Sequence, residues 1–205
     1  MLPVILLTAT VRPELHKWIF QKDAQSRLNT YLKSFNKWIN DTSFNIVIVE
    51  NSGFSFDLSK CDMERVQVIT YDEKLVFPHV SCSASKGQSE VFAINYAFRH
   101  SSLLQSSEFI IKVTGRFFIP GFEDYVKTLN LSSMNGLRQN NPDRCEIVGS
   151  HRLYFHRIFD VMSVNGHVEH AYKQILDQCD KVVICKDLPI EPTLRGGENE
   201  IYKFL

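Results

Sequence analysis

The chain has 205 residues, 44% of them hydrophobic, enough to bury the core of one domain, and this excludes disordered and fibrous classes. Its formal charge is zero, so no global field holds a polyanion; nucleic acid drops out as a main partner, and a local basic pocket for one diphosphate is the anion site that remains. Five cysteines, Cys61, Cys82, Cys145, Cys179 and Cys185, contain no CxxC pair and are odd in number, which argues for reduced thiols in a cytoplasmic protein over a disulfide framework or a zinc knuckle.

The opening Met1-Leu2-Pro3-Val4-Ile5-Leu6-Leu7 lacks a basic leader and runs into Thr8 and Thr10, so it reads as a first buried strand, Val4 to Thr10, and not as a signal peptide. From Ala24 to Asn40 the residues Leu28, Tyr31, Leu32, Phe35, Trp38 and Ile39 recur at spacings of three and four, the apolar face of a helix. Asn45 to Val49 predicts a second strand, stopped by the turn chemistry of Glu50-Asn51-Ser52-Gly53. Val66 to Tyr71 predicts a third. A helix is expected between Ser85 and His100, with Ser85 or Ser89 as its cap and Val91, Ile94 and Phe98 inside. Phe109 to Val113 is a continuous apolar run, expected to be a strand buried on both faces.

Beyond Pro120 the pattern loosens. Strands are expected at Cys145 to Val148 and Val182 to Cys185, and helices at Phe155 to Met162 and Val168 to Leu176. This alternation predicts an α/β domain with a mostly parallel central sheet flanked by helices. No repeat, low-complexity linker or apolar run of bilayer length interrupts it, so one domain over residues 1–205 is expected, with any membrane contact peripheral.

In open α/β sheets, ligands bind beyond the carboxyl ends of the strands. Four such places carry chemistry: Thr8, Thr10 and Arg12; Glu50, Asn51 and Ser52; the Ser85-Lys86-Gly87-Gln88-Ser89-Glu90 helix start; and Lys112-Val113-Thr114-Gly115-Arg116. Thr10 and Ser52 serve equally well as turn residues, and Lys86 as a solvated helix-end charge. Lys112 and Arg116 flank a glycine in the most buried part of the predicted sheet. Buried charge is expensive, so these cations need an anion, either a protein carboxylate or, the sharper reading, a bound phosphate.

The succession TATVRP, VENSG, SKGQSE and IIKVTGRFFI resembles small GT-A-type glycosyltransferases of bacterial surface-polysaccharide clusters and large DNA viruses. Lys112, Thr114, Gly115 and Arg116 match their KxTGR[YF] signature, and the resemblance extends loosely from residue 4 to about 200. It implies a GT-A-like fold in which residues 1–118 bind a nucleotide-sugar donor and residues 119–205 the acceptor. The first-strand end and Glu50-Asn51-Ser52 would hold base and ribose, and Lys86 would approach the nucleotide or its diphosphate. KVTGR stands where most GT-A enzymes carry a DxD that holds a divalent ion, and the sequence contains no D-x-D. Lys112 and Arg116 would then supply positive charge directly, leaving manganese or magnesium an open question.

Asn165-Gly166-His167-Val168-Glu169-His170 sets a carboxylate between two imidazoles at a helix start. Glu169, off the apolar face of Val168, Ala171, Tyr172 and Ile175, is the candidate general base for an acceptor hydroxyl. Metal ligation with His167 and His170, and simple helix-dipole stabilisation, are the alternatives. His151, Arg152 and His170 are candidate acceptor contacts. Glu191 to Glu198 is expected to be a flexible stretch, with Arg195 before two glycines suited to closing on the donor phosphate.

The reading that follows is transfer of a sugar from a nucleoside-diphosphate sugar to a glycan or other hydroxyl, with inversion argued from a base and the lack of an evident nucleophile. A nucleotidyltransferase would need a glycine-rich loop after the first strand, which TATVRPEL lacks. A non-catalytic nucleotide- or sugar-binding module is the third class. A Rossmann oxidoreductase is disfavoured because no GxGxxG follows a strand.

Overall fold

The computed structural model describes residues 2–13, 19–57, 62, 64–77, 85–162, 167–194 and 200–205. β1 (Val4–Ala9), β2 (Asn45–Glu50), β3 (Val66–Thr70) and β4 (Phe109–Thr114) run parallel to one another. Their carboxyl ends therefore share one edge of the sheet. β5 (Gly136–Arg138), β6 (Ile147–His151) and β7 (Val182–Ile184) complete seven strands in the order β3-β2-β1-β4-β6-β5-β7. β6 is antiparallel to β4, pairing Val113 with Ile147 and Phe109 with His151. The start of β6, not its end, thus joins the carboxyl edge of the parallel strands.

β1 is buried along its whole length, as its unbroken apolar run demands of a strand covered on both faces. α1 (Ala24–Asn40), started by the Asp23 carboxylate accepting from Ser26 N, lays Tyr31, Phe35 and Trp38 over Ile5, Leu7, Ile46, Ile48, Ile111 and Val113. The Trp38 indole donates to the Phe117 carbonyl (2.8 Å), fastening this helix to the turn after β4. The opposite face is covered by α3 (Lys86–His100), α6 (Phe155–Phe159) and α7 (Val168–Asp177), whose Val91, Ile94, Phe159 and Tyr172 pack with Leu6, Val49, Ile110 and Val148. Ser85 is the cap of α3 and accepts from Gln88 N.

Three short helices were not expected from the sequence: α2 (Glu73–Val76), α4 (Ser102–Ser106) and α5 (Phe122–Lys127). The expected flexible stretch from Glu191 is in part a strand. β8 (Pro189–Leu194) pairs with β9 (Ile201–Phe204), and Glu191 forms ion pairs with Lys33 (3.2 Å) and Lys37 of α1. Among the described residues, no helix is long and apolar enough to cross a membrane.

Candidate functional site

At the carboxyl edge, β1 and β2 are tied together before any ligand is considered. Glu50 is fully buried and turns its carboxylate onto the main chain: Oε1 accepts from Val11 N (2.9 Å), and Oε2 from Ser52 N (3.0 Å) and Phe54 N (2.8 Å), with the Ser52 hydroxyl adding a further bond. Burial raises its pKa, and these donors act in the other direction. Thr10 donates its hydroxyl to Asn51 Oδ1 (2.6 Å), and Arg12 N donates to the Ser52 hydroxyl (2.9 Å). Arg12 itself is exposed and lies over the Phe54 ring (5.6 Å). Glu50, Asn51 and Ser52 thus shape this edge of the sheet, with their side-chain oxygens already engaged inside the protein.

Lys112 is fully buried, and its anion is a protein carboxylate. Nζ lies 2.8 Å from Oε2 of Glu90 on α3 and donates to the Cys145 carbonyl (2.6 Å); Oε1 of Glu90 accepts from the Thr8 hydroxyl (2.6 Å). Burial opposes charge on both members. Their attraction outweighs it, holding Glu90 below and Lys112 above their ordinary pKa values. The sharper expectation, phosphate on Lys112, is therefore corrected: the protein supplies the partner. Thr8 is used in the same bridge, which locks β1, β4 and α3 to one another.

Arg116 stands differently. Its side chain is 6% exposed, and Nε and Nη1 are buried without a hydrogen-bond partner. Gly115 carries the chain to this place: its N–H donates to the Thr8 carbonyl (2.9 Å), and a Cβ there would sit 2.6 Å from the same oxygen. A side chain at residue 115 would push the β4 turn off β1 and move Arg116 with it.

Arg27 and Lys86 are further cations near Arg116, with Glu50 acting on the first and Glu90 on the second in the opposite sense. Arg27, on the inner face of α1, is buried and satisfied: Nε donates to the Thr10 carbonyl (2.7 Å), Nη1 to that of Gln21 (3.3 Å) and Nη2 to the Tyr31 hydroxyl (3.1 Å). Burial raises the Tyr31 phenol, but Arg27 and then Arg116 reverse the sign and lower its pKa. Lys86 keeps solvent exposure at the first turn of α3, yet the protein around its ammonium and then the Arg116 guanidinium pull its pKa down. Burial and then the neighbouring cations lower the Lys86 pKa, and a buried guanidinium with unpartnered nitrogens beside them is suited to an anion.

Gly87 brings a second helix start against that of α3. A Cβ on it would lie 2.4 Å from Val168 Cγ1, so only glycine lets the start of α3 meet the start of α7. Glu169 and His170 follow Val168, and Glu169 acts electrostatically on Cys145, beside Lys112. The His167 and His170 rings are 5.2 Å apart. Glu146, just before β6 and beside Thr114 across the ladder, has its Oε2 buried without a partner.

His151 and Arg152 lie elsewhere. The after-the-strand rule applies to strands parallel to β1, and β6 runs the other way, so both sit at the amino end of β4, where Arg152 N donates to the Glu108 carbonyl (2.8 Å). They are not brought together with Arg116. Arg195 is outside the described residues. Arg27, Tyr31, Glu90 and Glu146 are additions to the site. Arg27 had a readable signal, a charge in phase with the apolar face of α1; the pairing of Glu90 with Lys112 had none.

No family model matches the chain, and no curated protein sequence does. Solved structures do. The mannosyltransferase PcManGT of Pyrobaculum calidifontis, in complex with GDP-Man and Mn2+, superposes with a TM-score of 0.53 at 12% identity over 94% of this chain. The chain spans only 56% of that protein. A nucleotide-diphospho-sugar transferase of Desulfovibrio desulfuricans gives 0.53 at 12% identity over 89% of this chain and 78% of its own. The chain has the mixed α/β, mostly parallel fold of the GT-A nucleotide-sugar transferases.

Proposed function

We propose that the chain transfers a sugar from a nucleoside-diphosphate sugar to a hydroxyl acceptor. The observation that carries this reading is Arg116, a buried guanidinium with two unpartnered nitrogens at the carboxyl end of β4, with Lys86 and Arg27 as further cations near it. A diphosphate supplies the missing acceptors, and two charge-assisted bonds to it are worth far more in a buried site than in water. Arg116 and Lys86 bind the diphosphate; Thr10, Arg12, Asn51 and Ser52 border the nucleoside end in this reading. Thr114 and Gly115 set the floor.

Residues 119–205 supply the acceptor side in this reading. Glu169, brought beside the start of α3 by the Gly87–Val168 contact, takes the proton from the attacking hydroxyl and contributes about 10²–10⁴-fold, and the displacement inverts the anomeric centre. His170 lies on the same helix turn and contacts the acceptor.

The manganese of the Pyrobaculum enzyme poses a question of fit. Here the end of β4 bears Thr114, Gly115 and Arg116. Both Glu90 oxygens and both Glu50 oxygens are engaged inside the protein, and no group of three His, Cys, Asp or Glu placed to hold a metal is found among the described residues. These residues do not fit a divalent ion.

A thermal-shift panel of UDP-, GDP-, dTDP- and CMP-sugars tests the proposal, since a ligand bound to the native state raises stability by mass action. At least one is expected to shift the wild type, to lose its effect in Arg116→Ala, and to be bound but not turned over by Glu169→Gln. No shift from any of them would overturn the reading.

A further inference from the structure

We infer that the site takes its donor as the metal-free nucleoside-diphosphate anion, with Arg116 and Lys86 occupying the electrostatic role that a divalent ion holds in a DxD enzyme. The inference rests on the proposed function and sharpens it to one ligand species. Two further cations stand near Arg116: Arg27 and Arg116 outweigh burial and lower the Tyr31 pKa, and Arg116 adds to burial in lowering that of Lys86, with Glu90 acting the other way. A dication added there would meet repulsion from two cations, and a diphosphate already chelated to it would bring less negative charge to them. The metal-free diphosphate offers its full charge and the acceptors that Arg116 Nε and Nη1 lack.

The carboxylates at this edge point the same way. Glu90 is spent on Lys112 and Thr8, and Glu50 on main-chain N–H groups. Glu146 retains a free buried oxygen, Oε2, and stands across the ladder from Thr114, beside the field of Lys112. With Glu73 Oε1, which is buried without a partner just after β3, two such oxygens stand at this edge; they are hydrogen-bond acceptors for an incoming hydroxyl or water and fall short of a coordination shell for manganese or magnesium.

Calorimetric titration of UDP, GDP and dTDP into the full chain, with EDTA and then with manganese chloride, decides the matter. At least one is expected to bind in EDTA with an affinity that manganese leaves unchanged or weakens. Arg116→Gln is expected to lose about 10- to 100-fold, the worth of a charge-assisted bond or two, and Arg116→Lys to recover part of it. Lys86→Gln, at an exposed position, serves where Arg116 variants fail to fold. In parallel, the electron paramagnetic resonance signal of manganese mixed with nucleotide is expected to show no protein-bound manganese on adding protein, and to move toward that of free aquated manganese as the protein withdraws metal-free nucleotide. Binding that appears only with manganese would overturn the inference and leave the proposed function standing. Failure of all three nucleotides in both buffers would overturn the two together.

Discussion

Replacing Glu90 by glutamine leaves the Lys112 ammonium buried at 0% exposure, donating to the Cys145 carbonyl and the Thr114 hydroxyl with no carboxylate in contact. Removing one partner of a buried ion pair costs about 3–5 kcal/mol, most of it the stranded charge. For a domain of this length each kcal/mol moves the melting temperature by about 2–4 °C, so the variant should melt about 6–20 °C lower. Adding Lys112→Met removes the stranded charge. What remains is the Cys145 carbonyl without its donor, about 1–3 kcal/mol, so the double variant should be more stable than Glu90→Gln alone. The pH dependence has a fixed sign: with Glu90 lowered and Lys112 raised, their contribution is complete between the ordinary carboxylate and ammonium ranges. It is lost as pH falls through the Glu90 pKa, and again as pH rises through that of Lys112. Differential scanning calorimetry of wild type, both single variants and the double checks this. A Glu90→Gln variant that melts with wild type, or a double variant that melts below Glu90→Gln, would refute the assignment of Lys112 to a structural bridge.

Gly87→Ala places a methyl against Val168 and should cost about 1–3 kcal/mol by overpacking; Val168→Ala in the same chain should restore part of it, read by urea denaturation. Gly115→Ala meets a backbone oxygen, which no side-chain truncation can relieve, and should lower both stability and nucleotide affinity in the same titrations. Glu169→Gln should retain donor affinity and lose about 10²–10⁴-fold in turnover; an equal loss in affinity would make it a donor contact instead. His151→Ala should leave nucleotide affinity unchanged, since its ring lies at the far end of the sheet.

Much of this architecture is written in local pattern. The apolar face of residues 24–40 marks α1 at its observed ends, and continuous β-branched runs mark β1, β2 and β4, because periodicity reports which faces are buried. The short helices and the β8–β9 hairpin escape such reading: four to six residues carry too little period, and Glu191 looks like loop until its lysine partners on α1 are in place. The site divides the same way. Strand-end reasoning gathers Thr8, Thr10 and Arg116 at one edge because four parallel strands end together, and misplaces His151 and Arg152 because strand direction is not encoded in a run of apolar residues. Whether a buried cation is paired is a long-range fact. Lys112 and Arg116 look alike in sequence, and only the arrival of Glu90 from α3 separates the bridged lysine from the waiting arginine.

That difference supplies the most direct test of the account. An uncompensated buried guanidinium destabilises the ligand-free protein, so a site held ready for an anion trades stability for binding. Arg116→Met should therefore melt at or above the wild-type temperature without ligand, while its affinity for the nucleotide sugar that shifts the wild type falls about tenfold or more. A variant that melts lower and binds as tightly as wild type would make Arg116 a structural residue and contradict the central claim.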